Sequence, residues 1–134
     1  MAFSHISAVA LVVADYDEAV DFYVGKLGFE LCEDARLDGG KRWVTISPAG
    51  GREGCRLLLA KAVDDAQRRA IGSQSGGRVF LFLTTDDFDR DHARMKAAGV
   101  VFCETPRREV YGKVAVFEDL YGNRWDLIEP SNKD

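Results

Sequence analysis

The sequence predicts an α+β fold of two tandem β-α-β-β-β modules, and three observations support this prediction. A short apolar run, typical of a buried strand, precedes a helical pattern in each half of the chain, at residues 8–13 and 79–83. Both helical patterns stop at a glycine, Gly28 or Gly99, which tolerates the left-handed turn that closes a helix. The two glycines lie about 71 positions apart, and at this offset the halves repeat the same order of elements.

The first module contains one predicted helix and three strands after its opening strand. Asp15 and Glu18 have the spacing of a capping box, which predicts a helix over residues 15–27. Residues 38–40 (Asp-Gly-Gly) predict a turn. The predicted strands on either side of that turn and beyond it are residues 29–37, 42–47 and 55–60.

The second module repeats this order after its own opening strand. Thr85 or Asp86 is predicted to cap a helix over residues 86–98. A turn is predicted at residues 121–123 (Tyr-Gly-Asn). Pro106 should end the strand predicted at residues 100–105. The predicted strands are residues 100–105, 112–118 and 124–128.

A polar linker, residues 63–77, separates modules that cover about residues 5–62 and 78–130 of a single domain. The linker contains a short predicted helix at residues 64–70, followed by a Gly/Ser-rich stretch at residues 72–77. That stretch is flexible in composition, and it fits either a plain connector or a lid over a pocket.

Composition excludes several classes of function. With 134 residues, 46% of them hydrophobic, the chain is long enough for one buried core. A net charge of −4 argues against nucleic-acid binding and against attraction to an anionic membrane. No apolar run approaches the roughly 20 residues of a transmembrane helix, and residues 1–7 lack the pattern of a signal peptide. Cys32, Cys55 and Cys103 form no CxxC pair and are interpreted as reduced thiols, so we expect a cytoplasmic protein.

Four segments near the ends of the chain carry a family resemblance. They are residues 9–15 (VALVVAD), 19–23 (AVDFY), 27–30 (LGFE) and 116–130 (VFEDLYGNRWDLIEP). With the internal repeat, they resemble the vicinal-oxygen-chelate superfamily, which includes glyoxalase I, bleomycin-resistance proteins and extradiol dioxygenases. The resemblance implies the glyoxalase/bleomycin-resistance fold, with curled mixed sheets around a cleft, and a homodimer. It leaves the reaction open, because one fold serves many chemistries.

The resemblance also implies where a metal would bind. Metal-dependent members place ligands at matching positions of the two modules, which fall here at Ala8, Leu58, Phe80 and Asp126. Hydrocarbon side chains offer no lone pair to a cation, and one carboxylate does not hold a divalent metal at useful affinity. We therefore expect neither a metal nor another cofactor.

Two histidines are the remaining obvious candidates for ligands. His5 lies three positions before Ala8, so strand alternation points it to the other face, and we interpret it as partly exposed. His92 lies in the middle of the polar helix 86–98 and is interpreted as a surface histidine.

Strand alternation predicts which side chains line a cleft instead. If Ala8 and Phe80 face it, Phe82 also does, while the intervening residues of these strands pack under the helices. The expected ligand-binding residues are Phe80, Phe82, Arg124, Asp126, Arg56, Trp43 and Tyr111. They describe an apolar pocket with a few convergent polar groups, the usual composition of a small-molecule site.

Several alternatives stay open at this point. Arg124 and Asp126 form either a ligand-binding pair of charges or a structural ion pair, and the two phenylalanines fit an ordinary core as well. The direction of Trp43 is undecided, since the two modules give conflicting registers. Gly112 marks either a turn or a place where a ligand approaches the backbone.

The catalytic residues also stay open. Asp126 and Glu118 are candidate general bases if they are desolvated. No nucleophile–base pair stands out in the sequence.

The leading hypothesis is a metal-free protein of the bleomycin-resistance type that binds a small aromatic or planar molecule. The alternative is a metal-dependent lyase, isomerase or dioxygenase whose displaced site uses Asp126, His5 or Glu53. A third hypothesis is a dimeric module whose ligand is incidental. Whether the protein is an enzyme is left open.

Overall fold

The computed structural model describes residues 2–48 and 54–131, and Glu53 lies outside these ranges. The chain divides into two compact units, Met1–Ile71 and Gly72–Asp134, and the boundary falls inside the predicted linker. Each unit contains one mixed sheet and at least one helix. The predicted α+β class is therefore confirmed.

The first unit contains a four-stranded sheet. Its strands are β1 (Ala8–Val13), β2 (Glu30–Arg36), β3 (Arg42–Ser47) and β4 (Arg56–Lys61). They are arranged in the order β1-β4-β3-β2, with β1 parallel to β4 and the other neighbours antiparallel. The strands around the predicted 38–40 turn are thus confirmed.

The α-helices of the first unit in the described ranges are α1 (Tyr16–Val20) and α2 (Asp65–Ala70). Helix α1 begins after Asp15, whose carboxylate accepts a hydrogen bond from the backbone N–H of Glu18 at 2.9 Å. The predicted cap is therefore confirmed, but the chain continues from α1 as a wider π-helical turn, Asp21–Lys26, instead of a regular helix. Helix α2 forms where the linker helix was predicted.

The second unit contains a five-stranded sheet and one helix. The strands are β5 (Val79–Thr84), β6 (Val101–Phe102), β7 (Arg107–Glu109), β8 (Gly112–Glu118) and β9 (Arg124–Pro130). Strand β9 lies between β5, which is parallel to it, and β8, which is antiparallel. Both β6 and β7 pair with β8. Helix α3 spans Phe88–Ala97.

Two predictions for the second unit were wrong in detail. The strand predicted at 100–105 is only two residues long, and β7 was not predicted. Pro106 cannot donate to a strand ladder, so the chain leaves β8 there and pairs with it again afterwards. The cap of α3 is Asp87, whose carboxylate accepts the backbone N–H of Arg90 at 3.1 Å, and not Thr85 or Asp86.

Each sheet has one face packed against helices and an opposite face that we call the open face. On the helix-packed face, Leu11 and Val13 of β1 and Leu127 of β9 are almost completely buried. On the open face, Ala10 is exposed, and Phe82 of β5 keeps 66% of its surface. The predicted strand alternation is therefore confirmed.

An aromatic stack fills the helix-packed side of the second unit, and it includes His92. The imidazole lies 5.3 Å from the ring of Phe88 and 4.4 Å from that of Phe102, between ring centroids. Burial lowers the pKa of His92. His92, which was interpreted as a surface residue, is half-buried, because it lies one helical turn after the buried Phe88 and shares its face.

No helix in the described part of the chain is both long enough and apolar enough to span a membrane.

Candidate functional site

The four positions at which the family resemblance implies metal ligands hold one donor side chain, Asp126. Ala8, Leu58 and Phe80 are half-buried and carry no donor atom, while Asp126 is buried. Within the described ranges, no three His, Cys, Asp or Glu side chains are grouped so that they could hold a metal ion. The donor set therefore does not fit a divalent cation.

The open face of the first unit carries a cluster of polar side chains around Glu33. One carboxylate oxygen, Oε1, accepts hydrogen bonds from Trp43 Nε1 at 3.1 Å, Thr45 Oγ1 at 3.0 Å and Arg56 Nη1 at 3.3 Å. The hydrogen bonds from Trp43 and Thr45 lower the pKa of Glu33, and the charge of Arg56 adds to this effect. The carboxylate is thus held in its ionised form and in one position.

This cluster decides the direction of Trp43. In the sheet register, Thr45 is opposite Leu58 of β4, so Trp43, two residues earlier, lies on the same open face as Leu58. The indole is 42% exposed, and its hydrogen bond to Glu33 fixes the orientation of the ring. Trp43 and Arg56 are therefore brought together as predicted, whereas Glu33 and Thr45 were missed.

The open face of the second unit is built around Asp126. In the sheet register, its neighbours are Phe82 on β5 and Val116 on β8. Only 7% of Asp126 is exposed, and its buried Oδ1 has no hydrogen-bond partner in the described part of the chain. Burial raises the pKa of this carboxyl, the charge of Glu104 adds to the effect, and Arg107 opposes it. A buried acceptor without a donor is uncommon and needs an explanation.

The predicted pairing of Arg124 with Asp126 was wrong. Within residues 54–131, no ion pair joins the two, and Arg124 is exposed beside the β8–β9 turn, opposite Glu118. The two residues lie on one face, but the arginine is at the end of the sheet, where water solvates its charge better than a buried carboxylate does. The guanidinium that acts on Asp126 electrostatically is Arg107, on β7.

Arg107 is itself engaged by three other side chains. Hydrogen bonds from Arg107 to Tyr111 and Glu109 raise the pKa of the guanidinium, and the nearby Glu104 adds to the effect. Its Nε donates to Glu104 Oε2 at 3.1 Å, and the same oxygen accepts the backbone N–H of Val116 at 2.9 Å. Arg107 and Glu104 were both missed because β7 was not predicted.

A second buried carboxylate, Asp119, positions the start of β9. It accepts hydrogen bonds from the backbone N–H groups of Tyr121 and Asn123, the side-chain amide of Asn123 and the indole of Trp125. These distances lie between 2.9 and 3.2 Å. The turn predicted at 121–123 is thus fixed by a residue that sequence reasoning did not single out.

The remaining aromatic candidates differ in exposure. Phe82 is 66% exposed on the open face, so it is not part of a core. Phe80 is half-buried at an irregularity in the β5–β9 ladder, between Val79 and Leu81. Tyr111 is 50% exposed and hydrogen-bonded to Arg107.

The alternative that Gly112 lets a ligand approach the backbone was wrong. Its φ is +151°, and a Cβ at this position would collide with the backbone carbonyl of Glu129 on β9. The glycine is therefore needed for the close approach of two strands.

The last sequence candidates lie outside these clusters. Glu118 is half-buried, and the thiol of Cys103 is 3.7 Å from its Oε2. His5 was expected to be partly exposed, and it is exposed, with a hydrogen bond to Ser4 at 2.8 Å.

The Gly/Ser stretch of the linker is attached to the β8–β9 turn at its beginning. Gly72 has a φ of +81°, and a Cβ there would collide with the backbone carbonyl of Tyr121. The backbone N–H of Gln74 donates to Asn123 Oδ1 at 3.2 Å.

Comparison with known proteins places these features in a family. Residues 4–127 match the family model described as "Glyoxalase/Bleomycin resistance protein/Dioxygenase superfamily". A protein of Shewanella frigidimarina is 56% identical over 126 residues, which are 93% of each chain.

Two solved structures are similar along almost their whole length. The structure of UcmS2 is 30% identical with a TM-score of 0.81, and the match covers 94% of this chain and 98% of that one. TnmS3, an antibiotic binding protein from Streptomyces sp. CB03234, is 33% identical with a TM-score of 0.78, and the match covers 98% and 99%.

Proposed function

The chain belongs to the glyoxalase/bleomycin resistance protein/dioxygenase superfamily, and from this premise we propose that it binds small aromatic or planar molecules without a resident metal. The observation that carries the proposal is the exposure of Phe82 and Trp43 on the open faces of the two sheets. Both side chains lie near positions at which the family resemblance implies metal-ligating residues. A large aromatic side chain that is exposed on a sheet face keeps apolar surface in contact with water. A flat ligand that stacks on the ring removes this surface from water.

The Trp43 indole is suited to this role because it is held in place. Its hydrogen bond to Glu33 removes rotational freedom before a ligand arrives, and a preorganised side chain costs less entropy on binding. TnmS3 is an antibiotic binding protein, which supports the same class of function for this chain. Sequestration of a toxic aromatic compound is the simplest activity that such binding provides.

The proposal extends to the setting of the protein. We expect a homodimer in the cytoplasm, with no nucleic-acid or membrane partner. Cys32, Cys55 and Cys103 are all free thiols, which is usual in a reducing compartment.

A thermal-shift screen with planar aromatic compounds tests the proposal. A ligand at a hundredfold excess over its Kd should stabilise the protein by about 2.7 kcal/mol and raise its melting temperature. Trp43→Ala or Phe82→Ala should reduce the shift. Phe3→Ala is the matched control, because Phe3 is 88% exposed but lies outside the sheets, and it should leave the shift unchanged.

Two outcomes would contradict the proposal. One is that no aromatic compound in the panel shifts the melting temperature. The other is elemental analysis that finds about one tightly held metal per chain, with binding lost on chelation. The second result would favour the metal-dependent lyase, isomerase or dioxygenase.

A further inference from the structure

One oxygen of the buried Asp126 carboxyl lacks a hydrogen-bond donor in the described part of the chain. Asp126 is 7% exposed, and this oxygen, Oδ1, is fully buried. Removing a carboxyl oxygen from water without giving it a donor costs free energy that the fold must recover elsewhere. On the open face of a sheet, such a carboxyl can accept a donor from outside the chain once the side chains that cover Oδ1 move apart.

The residues beside Asp126 indicate what else a ligand at this position would contact. Phe82 is directly opposite Asp126 in the parallel β5–β9 pair, and adjacent strands lie about 4.8 Å apart. The Phe82 side chain is 66% exposed, so its ring is accessible beside the carboxyl. On the other side, Val116 of β8 adds an apolar wall. An aromatic ring against Phe82 would therefore place an edge substituent near Oδ1.

The charges around Asp126 favour a neutral donor over a cation. Arg107 is the nearby positive charge that acts on Asp126, and it is held in place by Glu104, Glu109 and Tyr111. A fixed guanidinium repels a second cation at the same carboxyl. The Arg107 guanidinium donates to its own partners and not to Oδ1 of Asp126.

We propose that Asp126 is the hydrogen-bond anchor of the binding site, so that the protein selects aromatic molecules carrying a hydroxyl or N–H group at the ring edge. This inference rests on the proposed function and specifies the chemical class of the ligand. The Asp126 carboxyl accepts the hydrogen bond when the ligand enters beside Phe82, and Phe82 supports the ring.

Isothermal titration with naphthol and with its methyl ether tests this selection, since the ether cannot donate a hydrogen bond. The unchanged protein should bind naphthol at least about tenfold more tightly than the ether, the value of one hydrogen bond to a charged acceptor. Asp126→Ala should abolish the preference and leave the affinity for the ether unchanged. Asp126→Asn should retain part of the preference, because the amide oxygen still accepts.

Two further variants separate the anchor from the ring support. Phe82→Ala should weaken the binding of naphthol and ether by similar factors. Asp65→Ala, which removes an exposed carboxylate of α2, should change neither affinity.

A second measurement does not depend on the ligand. Asp126→Ala should leave the melting temperature of the free protein unchanged or higher, because it removes a buried acceptor without a partner. A fall of several degrees would show a structural role and overturn the proposal.

The binding results distinguish this inference from the proposed function. If naphthol and its ether bind equally, or if Asp126→Ala keeps the preference, Asp126 is not the anchor, although aromatic binding stands. A buried water would then be the donor to Oδ1 of Asp126. If neither naphthol nor its ether binds while other aromatic compounds stabilise the protein, the anchor fails alone. If no aromatic compound binds, both proposals fail.

Discussion

At the scale of single residues, Asp119 lies outside the proposed ligand-binding residues but positions the strand that carries Asp126. Its carboxylate gathers the donors of Tyr121, Asn123 and Trp125 into one turn. Because β9 starts after this turn, the same carboxylate holds the beginning of the strand in which Asp126 lies opposite Phe82. The Asp119 carboxylate, with four donors, thus positions the strand that carries Asp126, whose Oδ1 has no donor in the described part of the chain.

Replacing Asp119 by alanine should therefore destabilise the protein. We expect the free energy of unfolding to fall by about 3 kcal/mol, because several buried donors lose their acceptor at once. Urea denaturation followed by tryptophan fluorescence measures the change. Asp38→Ala, which removes an exposed carboxylate, is the control and should change stability by less than about 0.5 kcal/mol. A loss below about 1 kcal/mol for Asp119→Ala would contradict this account.

The residues of the first-unit cluster show where sequence reasoning stops. Alternation alone left the direction of Trp43 open. A register shift between Leu31 and Glu33 of β2 brings Glu33 opposite Thr45, on the face that Trp43 also uses. An irregularity of one residue reverses which side chains lie on the open face, and no local pattern in residues 29–37 marks it. Glu33 was missed for this reason.

At the scale of elements, α3 depends on ionised Asp91. Burial opposes its ionisation, but hydrogen bonds from Arg90 and Thr85, with the charges of Arg90 and Arg94, outweigh burial and lower the pKa of Asp91. A carboxyl whose pKa is lower in the folded state stabilises the protein above the unfolded pKa, about 3.9. That contribution is lost as the pH falls through the lower, folded value.

We therefore expect Asp91→Asn to reduce the free energy of unfolding at neutral pH by about 1 to 2 kcal/mol. It should also flatten the loss of stability below about pH 4. Thermal unfolding across the acid range measures both effects. Asp86→Asn removes an exposed partner of the same Arg90 and should have little effect. An equal acid sensitivity in Asp91→Asn and the unchanged protein would argue against this role.

Helix and strand positions were predicted better than their exact geometry. Apolar spacing placed a helix over residues 15–27, but it did not distinguish a regular turn from the π-helical turn Asp21–Lys26. The adjacent Phe22 and Tyr23 are both buried there, a packing requirement that the spacing does not encode. Strand β7 was missed because three residues after a proline give no recognisable alternation.

At the scale of the whole molecule, the internal repeat was the most informative feature of the sequence. It predicted a sheet and a covering helix in each half, because Gly28 and Gly99 end equivalent helices. The structure has a sheet in each half, and both glycines have a positive φ. The functional chemistry does not repeat. On the open face of one unit, the Glu33 carboxylate has three donors. On the open face of the other, the buried Oδ1 of Asp126 has none in the described ranges. Such differences depend on cross-strand contacts, which the repeat does not specify.

The exposed apolar surface of the single chain leads to the last prediction. Large apolar side chains that remain more than half exposed include Val110, Val63, Ile6 and Val101. A second copy of the chain would remove part of this surface from water, and homo-oligomers are most often symmetric pairs. Light scattering at micromolar concentration should therefore report twice the chain mass of 14.9 kDa. The melting temperature should also rise with protein concentration, because association stabilises the folded chain by mass action. The mass of a single chain, with a melting temperature independent of concentration, would show that the protein acts as a monomer.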